Sequence, residues 1–161
     1  MTTTVRPRTV TDLAPCVRVL AAVHRTDGYP VAWPADPSPW LSPDGVQGAW
    51  VAESGGTVVG HAVVTALGTG ARPAADRLVG LSRLFVAPHR RGDGVATALV
   101  GTAVPAAWES GARVVADVLE GTAAVGFYER MGWRLVDRRP AGWTAPDGRE
   151  PTSRVYLSPG P

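Results

Sequence analysis

Arg90, Arg91, Gly92 and Gly94 lie together in the stretch Leu81-Ser82-Arg83-Leu84-Phe85-Val86-Ala87-Pro88-His89-Arg90-Arg91-Gly92-Asp93-Gly94-Val95-Ala96-Thr97. Its first part is branched, apolar and aromatic, which predicts a buried strand. Pro88 ends that strand because proline has no N–H to give to a ladder. From residue 95 to 103 the apolar spacing predicts a helix. Between strand and helix, glycines without a Cβ let an anion approach the backbone. The helix start offers unpaired N–H groups and the positive end of the backbone dipole, and two arginines add positive charge. This is the chemistry of a phosphate cradle.

Few other side chains are reactive. Cys16 is the single cysteine, so no internal disulfide forms; its setting among Leu13, Val17 and Leu20 predicts a buried, apolar role. His61 falls in mid-strand, as a proton acceptor or as a packed side chain. Tyr29, Trp33 and Trp40 are separated by Pro30, Pro34, Pro37 and Pro39. Such a segment is either a loop pinned to the core by its aromatics or the wall of a binding site.

The 161 residues suffice for one domain with a sizeable core, and 45% of them are hydrophobic. Net charge is only +2, and every basic residue of the Lys and Arg class is arginine. No arginine run is interleaved with aromatics, which argues against a nucleic-acid surface. No apolar run approaches a membrane span and no signal-peptide pattern opens the chain, so a cytoplasmic location is expected.

These residues need elements to position them. A strand is expected over residues 4–8, then a helix capped by Thr11, with Asp12 in its first turn and Pro15 early enough to be tolerated. The helix ends before Asp27-Gly28. The segment 30–43 reads as an ordered loop with a short helix near Pro39. Strands are expected at 49–53 and 57–65, joined by Ser54-Gly55-Gly56, and at 78–86 after a loop at 68–76. A helix over 94–110 carries Pro105, which predicts a kink at residues 101–105. A strand at 113–119, a helix at 122–130 closed by Gly132, and strands at 133–143 and 154–157 complete the chain. The order implies a mixed sheet with helices on both faces.

Two blocks carry a resemblance to a known family. Arg91-Gly92-Asp93-Gly94-Val95-Ala96 resembles the Q/R-x-x-G-x-G/A acetyl-CoA signature of the GCN5-related N-acetyltransferases, matched through Arg91, Gly94 and Ala96. Ala124-Val125-Gly126-Phe127-Tyr128-Glu129-Arg130-Met131-Gly132-Trp133 fits that family's A-x-x-F-Y-E-x-x-G-F/W run at every specified place. The resemblance is specific over residues 78–135 and rests mainly on strand order elsewhere. It implies an α/β (α+β) fold: one domain over 1–161, a mostly antiparallel sheet of six or seven strands, and about four helices.

The resemblance further implies acyl transfer from acetyl-CoA, without a metal, to the amine of a small-molecule or amino-acid-like acceptor. A peptide acetyltransferase, or a non-catalytic acyl-CoA-binding module, would share the same residues. Amides from Arg91 to Thr97 (Gly92, Asp93, Gly94, Val95 and Ala96 among them) would take the pyrophosphate. The backbone of Leu84, Phe85 and Val86 would pair with the pantetheine arm if a bulge or bend near Arg83 splayed this strand from its neighbour. Ala124 and Phe127 belong to the cofactor helix. Tyr128 stands at the family's position for the general acid that protonates the departing thiolate, which a phenol can do. Two positions depart from the pattern: Gly80, where many relatives carry a glutamate, and Gly121, where many carry an asparagine. The base is thus unassigned among Glu120, Asp117, His61 and Asp76, with water as a relay. Dimers are common in that family, and the last strands are where a homodimer would form.

Overall fold

The computed structural model describes residues 2–67 and 77–161; the expected loop at 68–76 lies outside the described residues. Seven strands form one sheet in the order β1-β2-β3-β4-β5-β7-β6. They are β1 (Thr3–Pro7), β2 (Val46–Ser54), β3 (Thr57–Ala66), β4 (Leu78–Val86), β5 (Arg113–Leu119), β6 (Arg134–Pro140) and β7 (Thr152–Leu157). Only β4 and β5 pair in parallel; the other pairs are antiparallel. The helices are α1 (Leu13–Asp27), α2 (Pro37–Trp40), α3 (Val95–Glu109) and α4 (Ala123–Arg130). The expected mixed, mostly antiparallel sheet and its element order are therefore present.

The core lies on both faces of the sheet. On one face α1 buries Cys16, Leu20 and Val23 against Val51, Val58 and Phe85. On the other α3 buries Val95, Leu99, Val100, Ala103 and Val104 against Val79, Leu81, Val86, Val114 and Ala116. Leu20 and Leu99 are wholly enclosed, each contributing roughly 1.5–3 kcal/mol by leaving water. Cys16 is sealed in the first core, and burial pushes its thiol up to about 12, so it has the packed, unreactive role expected of it.

Several local expectations shift. Thr11 is not the first cap. Thr9 starts a short 3-10 turn at Val10–Asp12, and its N–H donates to Asp12 Oδ2 at 2.7 Å. Asp12 then leads into α1, which ends where Gly28 takes a left-handed φ of 71°. Asp12 is the better anchor because Arg6 donates to both its oxygens, at 2.8 and 2.9 Å, while also reaching Glu53 on β2. The Arg6 guanidinium holds the Asp12 carboxyl well below the usual carboxylate range. β2 begins three residues before the expected position and β7 two, each extended by pairing with a neighbour that sequence periodicity does not see. α3 runs through Pro105 as one helix to Glu109.

The Arg6–Asp12 contact ties β1 to the entry of α1, and through Glu53 to β2. Asp12→Ala is expected to cost about 2 kcal/mol, from a lost cap and lost charge-assisted bonds, read as a lower denaturant midpoint at neutral pH.

Candidate active site

β4 and β5 pair only from Leu78 with Arg113 to Leu81 with Ala116. Beyond that point β5 stays on β7 and β4 stays on β3. Among the described residues, the edges of 82–86 and 117–119 that would have met are unpaired. An extended amide chain can add to such an edge through main-chain hydrogen bonds.

The cause is one extra residue in β4. Val79 and Leu81 face the α3 core, and so do Leu84 and Val86, so the alternation slips by one between them. The register with β3 skips at the same place, between Val63 opposite Ser82 and His61 opposite Phe85. Arg83 takes up the slip with φ at 52°, a conformation costly for a residue with a Cβ. The bend envisaged near Arg83 is thus present.

His61 holds that bend. Its Nε2 lies 2.8 Å from Arg8 Nη1, and its Nδ1 lies 2.8 Å from the Arg83 carbonyl oxygen. Arginine can only donate, so Nε2 accepts and Nδ1 carries the hydrogen to the carbonyl. The ring is wholly buried and stacks on Phe85 at 5.0 Å. Burial, with smaller contributions from the cationic Arg8 and Arg83, pushes its pKa down to about 4. This corrects its candidacy as the base: His61 is neutral, both nitrogens are engaged, and its work is to fix the bulge.

At the far end of β4, Pro88–Arg90 form a 3-10 turn and α3 begins at Val95. Gly92 and Gly94 both have left-handed φ, 82° and 78°, and a Cβ at either would meet nothing within 4 Å. These glycines are therefore needed for backbone shape and for open approach. The Arg91 and Asp93 amides bond back to Pro88 and Arg90. The first helical bond runs from Ala98 N–H to Gly94, leaving Val95, Ala96 and Thr97 amides without helical partners. Arg90 is paired with Asp93 at 2.8 Å, and Arg91 with Asp27 at the end of α1. The expected free positive charge is therefore already neutralised, and the cradle rests on its amides.

Tyr128, on α4, is 3% exposed and belongs to the core on the α3 face of the sheet. Phe127, Trp133 and Tyr156 surround it, with ring centres at 5.1, 4.8 and 6.1 Å. Burial raises its pKa well above that of a free phenol, and the nearby Tyr29 hydroxyl adds to the rise. Ala124 and Phe127 pack at the edge of the same core.

On the opposite face, the 29–41 segment forms a wall. Tyr29 packs edge-on against Trp40 at 6.2 Å. The Arg83 guanidinium lies over the Trp40 ring at 3.9 Å, and its Nε donates to the Trp40 carbonyl at 3.0 Å. Trp40 is thus covered, while Trp33 and Trp143 are about 40% exposed.

The remaining base candidates separate by position. Glu120 is gripped by Arg138 and Arg154, which draw its pKa down to about 2, so it is a poor proton acceptor. Asp76 lies outside the described residues. Asp117 follows Val115, the partner of Gly80, by two residues, which puts it on the wall side of the sheet just past the divergence. It pairs with Arg139 at 2.9 Å and is half exposed. At Gly80, a Cβ would stand 3.1 Å from Leu67 Cδ2, so an apolar side chain occupies the ground a carboxylate would need. Gly121 has φ at 81°, which asparagine also tolerates, so the turn survives without the side-chain amide.

Residues 17–133, more than two thirds of the chain, match the family model described as Acetyltransferase (GNAT) family. The chain belongs to that family. As a GNAT protein it is an acetyl-CoA-dependent acetyltransferase. Among curated proteins nothing matches the sequence. Solved GNAT-fold structures are similar along their whole length. The ribosomal-protein-S18-alanine N-acetyltransferase from Escherichia coli is 17% identical, with a TM-score of 0.74 over 98% of this chain and 94% of that one. Arabidopsis thaliana NAA60 in complex with acetyl-CoA is 21% identical, with a TM-score of 0.73 over 97% and 98%. An N-acetyltransferase from Staphylococcus aureus is 15% identical, with a TM-score of 0.76 over 98% of each chain.

Within this GNAT frame, sequence reasoning missed that Arg83 lies on Trp40 and that His61 holds its carbonyl. A lone arginine inside an apolar strand was the available signal for the first. Between about pH 6.5 and 4 the unfolded chain takes a proton at His61 that the folded protein refuses. Stability present above pH 6.5 is therefore lost as pH falls toward 4, by at most about 3 kcal/mol. The slope of denaturation midpoint against pH is expected to flatten in His61→Gln; equal slopes in the two proteins would mean that His61 titrates freely.

Proposed function

We propose that this chain moves an acetyl group from acetyl-CoA to the amine of a small-molecule or amino-acid-like acceptor, with Tyr128 as general acid. The observation that carries this reading is the parting of β4 from β5, with Tyr128 in the core on the α3 face of the sheet and the Tyr29–Arg83 wall on the other face. The residues present fit the donor. The free edge at Leu84, Phe85 and Val86 matches an extended amide arm, and the amides of Gly92, Gly94, Val95, Ala96 and Thr97 match a pyrophosphate. Arg91 and Asp93 shape that turn, while Ala124 and Phe127 flank the arm. Bound acetyl-CoA supplies an activated acyl carbon with a thiolate leaving group.

Tyr128 holds its proton at neutral pH because burial disfavours the phenolate. In the acid role the Tyr128 O–H would give its proton to the departing sulfur and regain one from solvent. On the other side, Asp117 and water take the proton that a protonated amine must lose before it attacks. The uncovered side of β5 near Asp117 is accessible to a small acceptor. The Escherichia coli protein shares the fold and is named for a ribosomal-protein alanine, so the fold alone does not set a small-molecule acceptor, and the acceptor class rests on the wall residues of this chain.

Tyr128→Phe is expected to lower turnover on the order of 10²- to 10⁴-fold while keeping the thermal stabilisation that CoA gives. Free-thiol release and a thermal-shift titration measure the two separately. Unchanged turnover would remove the acid role from Tyr128.

A further inference from the structure

We infer that Arg83 is the anchor for a carboxylate on the acceptor, so that the favoured substrates are amines that carry an acid, as α-amino acids do. The inference rests on the acetyltransferase reading above and narrows it.

Arg83 is unlike the other arginines near the site. Arg6, Arg90, Arg91, Arg138, Arg139 and Arg154 each face a carboxylate. Arg8 has no carboxylate but spends its nitrogens on the Leu41 carbonyl, Ser42 Oγ and His61. Among the described residues, Arg83 engages only Nε, to the Trp40 carbonyl. Neither terminal nitrogen has a partner there, and neither is sealed from solvent. Four N–H donors are left on a half-buried cation. Partial burial without an opposite charge is costly, and a ligand anion relieves that cost.

The guanidinium is also held in place. Trp40 stacks under its plane at 3.9 Å, the Nε bond fixes its rotation, and the bulge sets where the side chain leaves the strand. A fork immobilised before binding loses little freedom when a carboxylate docks two oxygens on it. Tyr29 stands beside it: burial pushes the phenol up to about 12, and Arg83 pulls the other way. Tyr29 therefore keeps its O–H and can give a further hydrogen bond to the same anion.

The anion has to come from the acceptor. The donor's charged groups are phosphates, whose cradle is the turn at Gly92 and Gly94. Arg83 to Val86 alone spans about 10 Å at roughly 3.3 Å per residue, and the Pro88–Arg90 turn lies beyond that. The part of the donor that reaches Arg83 is uncharged. On the acceptor side, Arg83 and Tyr29 both meet Trp40, on the face of the sheet opposite the core that holds Tyr128.

The test compares each α-amino acid with its own carboxamide, and a peptide beginning with glutamate with one beginning with glutamine. Transfer is read as kcat/KM from thiol release; binding is read as a thermal shift of the CoA-loaded protein. Free amino acids are expected to exceed their amides on the order of 10- to 100-fold, mainly through KM. In Arg83→Gln that ratio is expected to fall toward one, and Arg83→Lys to keep part of it. The comparison in the unaltered protein stands even if a variant folds poorly. Equal use of acids and amides, or a variant that lowers both alike, would overturn the carboxylate anchor and leave the acetyltransferase standing. A preference confined to the glutamate-first peptide would overturn the free amino acid in favour of a side-chain acid. Arg83-dependent binding of amino acids without transfer would uphold the anchor and remove the proposed reaction. Neither binding nor transfer by any acid would overturn both.

Discussion

β4 has one residue more than its pairing with β3 can use, and the site is built around where that residue goes. Arg83 absorbs the excess in a backbone conformation that its Cβ disfavours. Such strain persists only where the surroundings over-determine it. Here a buried, neutral histidine binds the Arg83 carbonyl, and Arg8 in turn fixes the tautomer of that histidine. The chain Arg8–His61–Arg83 thus links the end of β1 through β3 to the point where β4 leaves β5.

The bulge does two further things. It sends a cationic side chain to the wall side, onto Trp40, while Leu84 and Val86 return to the α3 core. It also leaves β4 unpaired with β5 beyond Leu81. The parting of the sheet and the placing of Arg83 on Trp40 are therefore consequences of one local irregularity.

Charge is distributed to leave that region distinctive. The turn before α3 is cationic by composition, yet Asp93 and Asp27 neutralise its two arginines. What the turn offers an anion is oriented amides, whose directions are set by two left-handed glycines. At the wall the opposite holds: an arginine sits in a partly dry setting with neutral neighbours. Counting arginines along the chain would rank these places the other way round.

What the sequence determined alone is the set of local instructions. Alternating and helical apolar spacing located every strand and the three longer helices to within a few residues, because those periods are properties of the backbone. The turn at Gly92 and Gly94 was legible because a strand–turn–helix with free amides is also a local object, whereas Tyr128 was singled out only by the resemblance of the 124–133 run. What the tertiary structure decided is which partner each side chain meets, and the period of an element does not state that. Thr11 lost the cap to Thr9 and Asp12 because Arg6 lies one strand back. His61 became a clamp rather than a base because Arg8 and Arg83 meet it from two other strands. Arg90 and Arg91 lost their free charge to Asp93 and Asp27. The slip in β4 is a mismatch between two strands, and neither strand's own sequence records the register in which they meet.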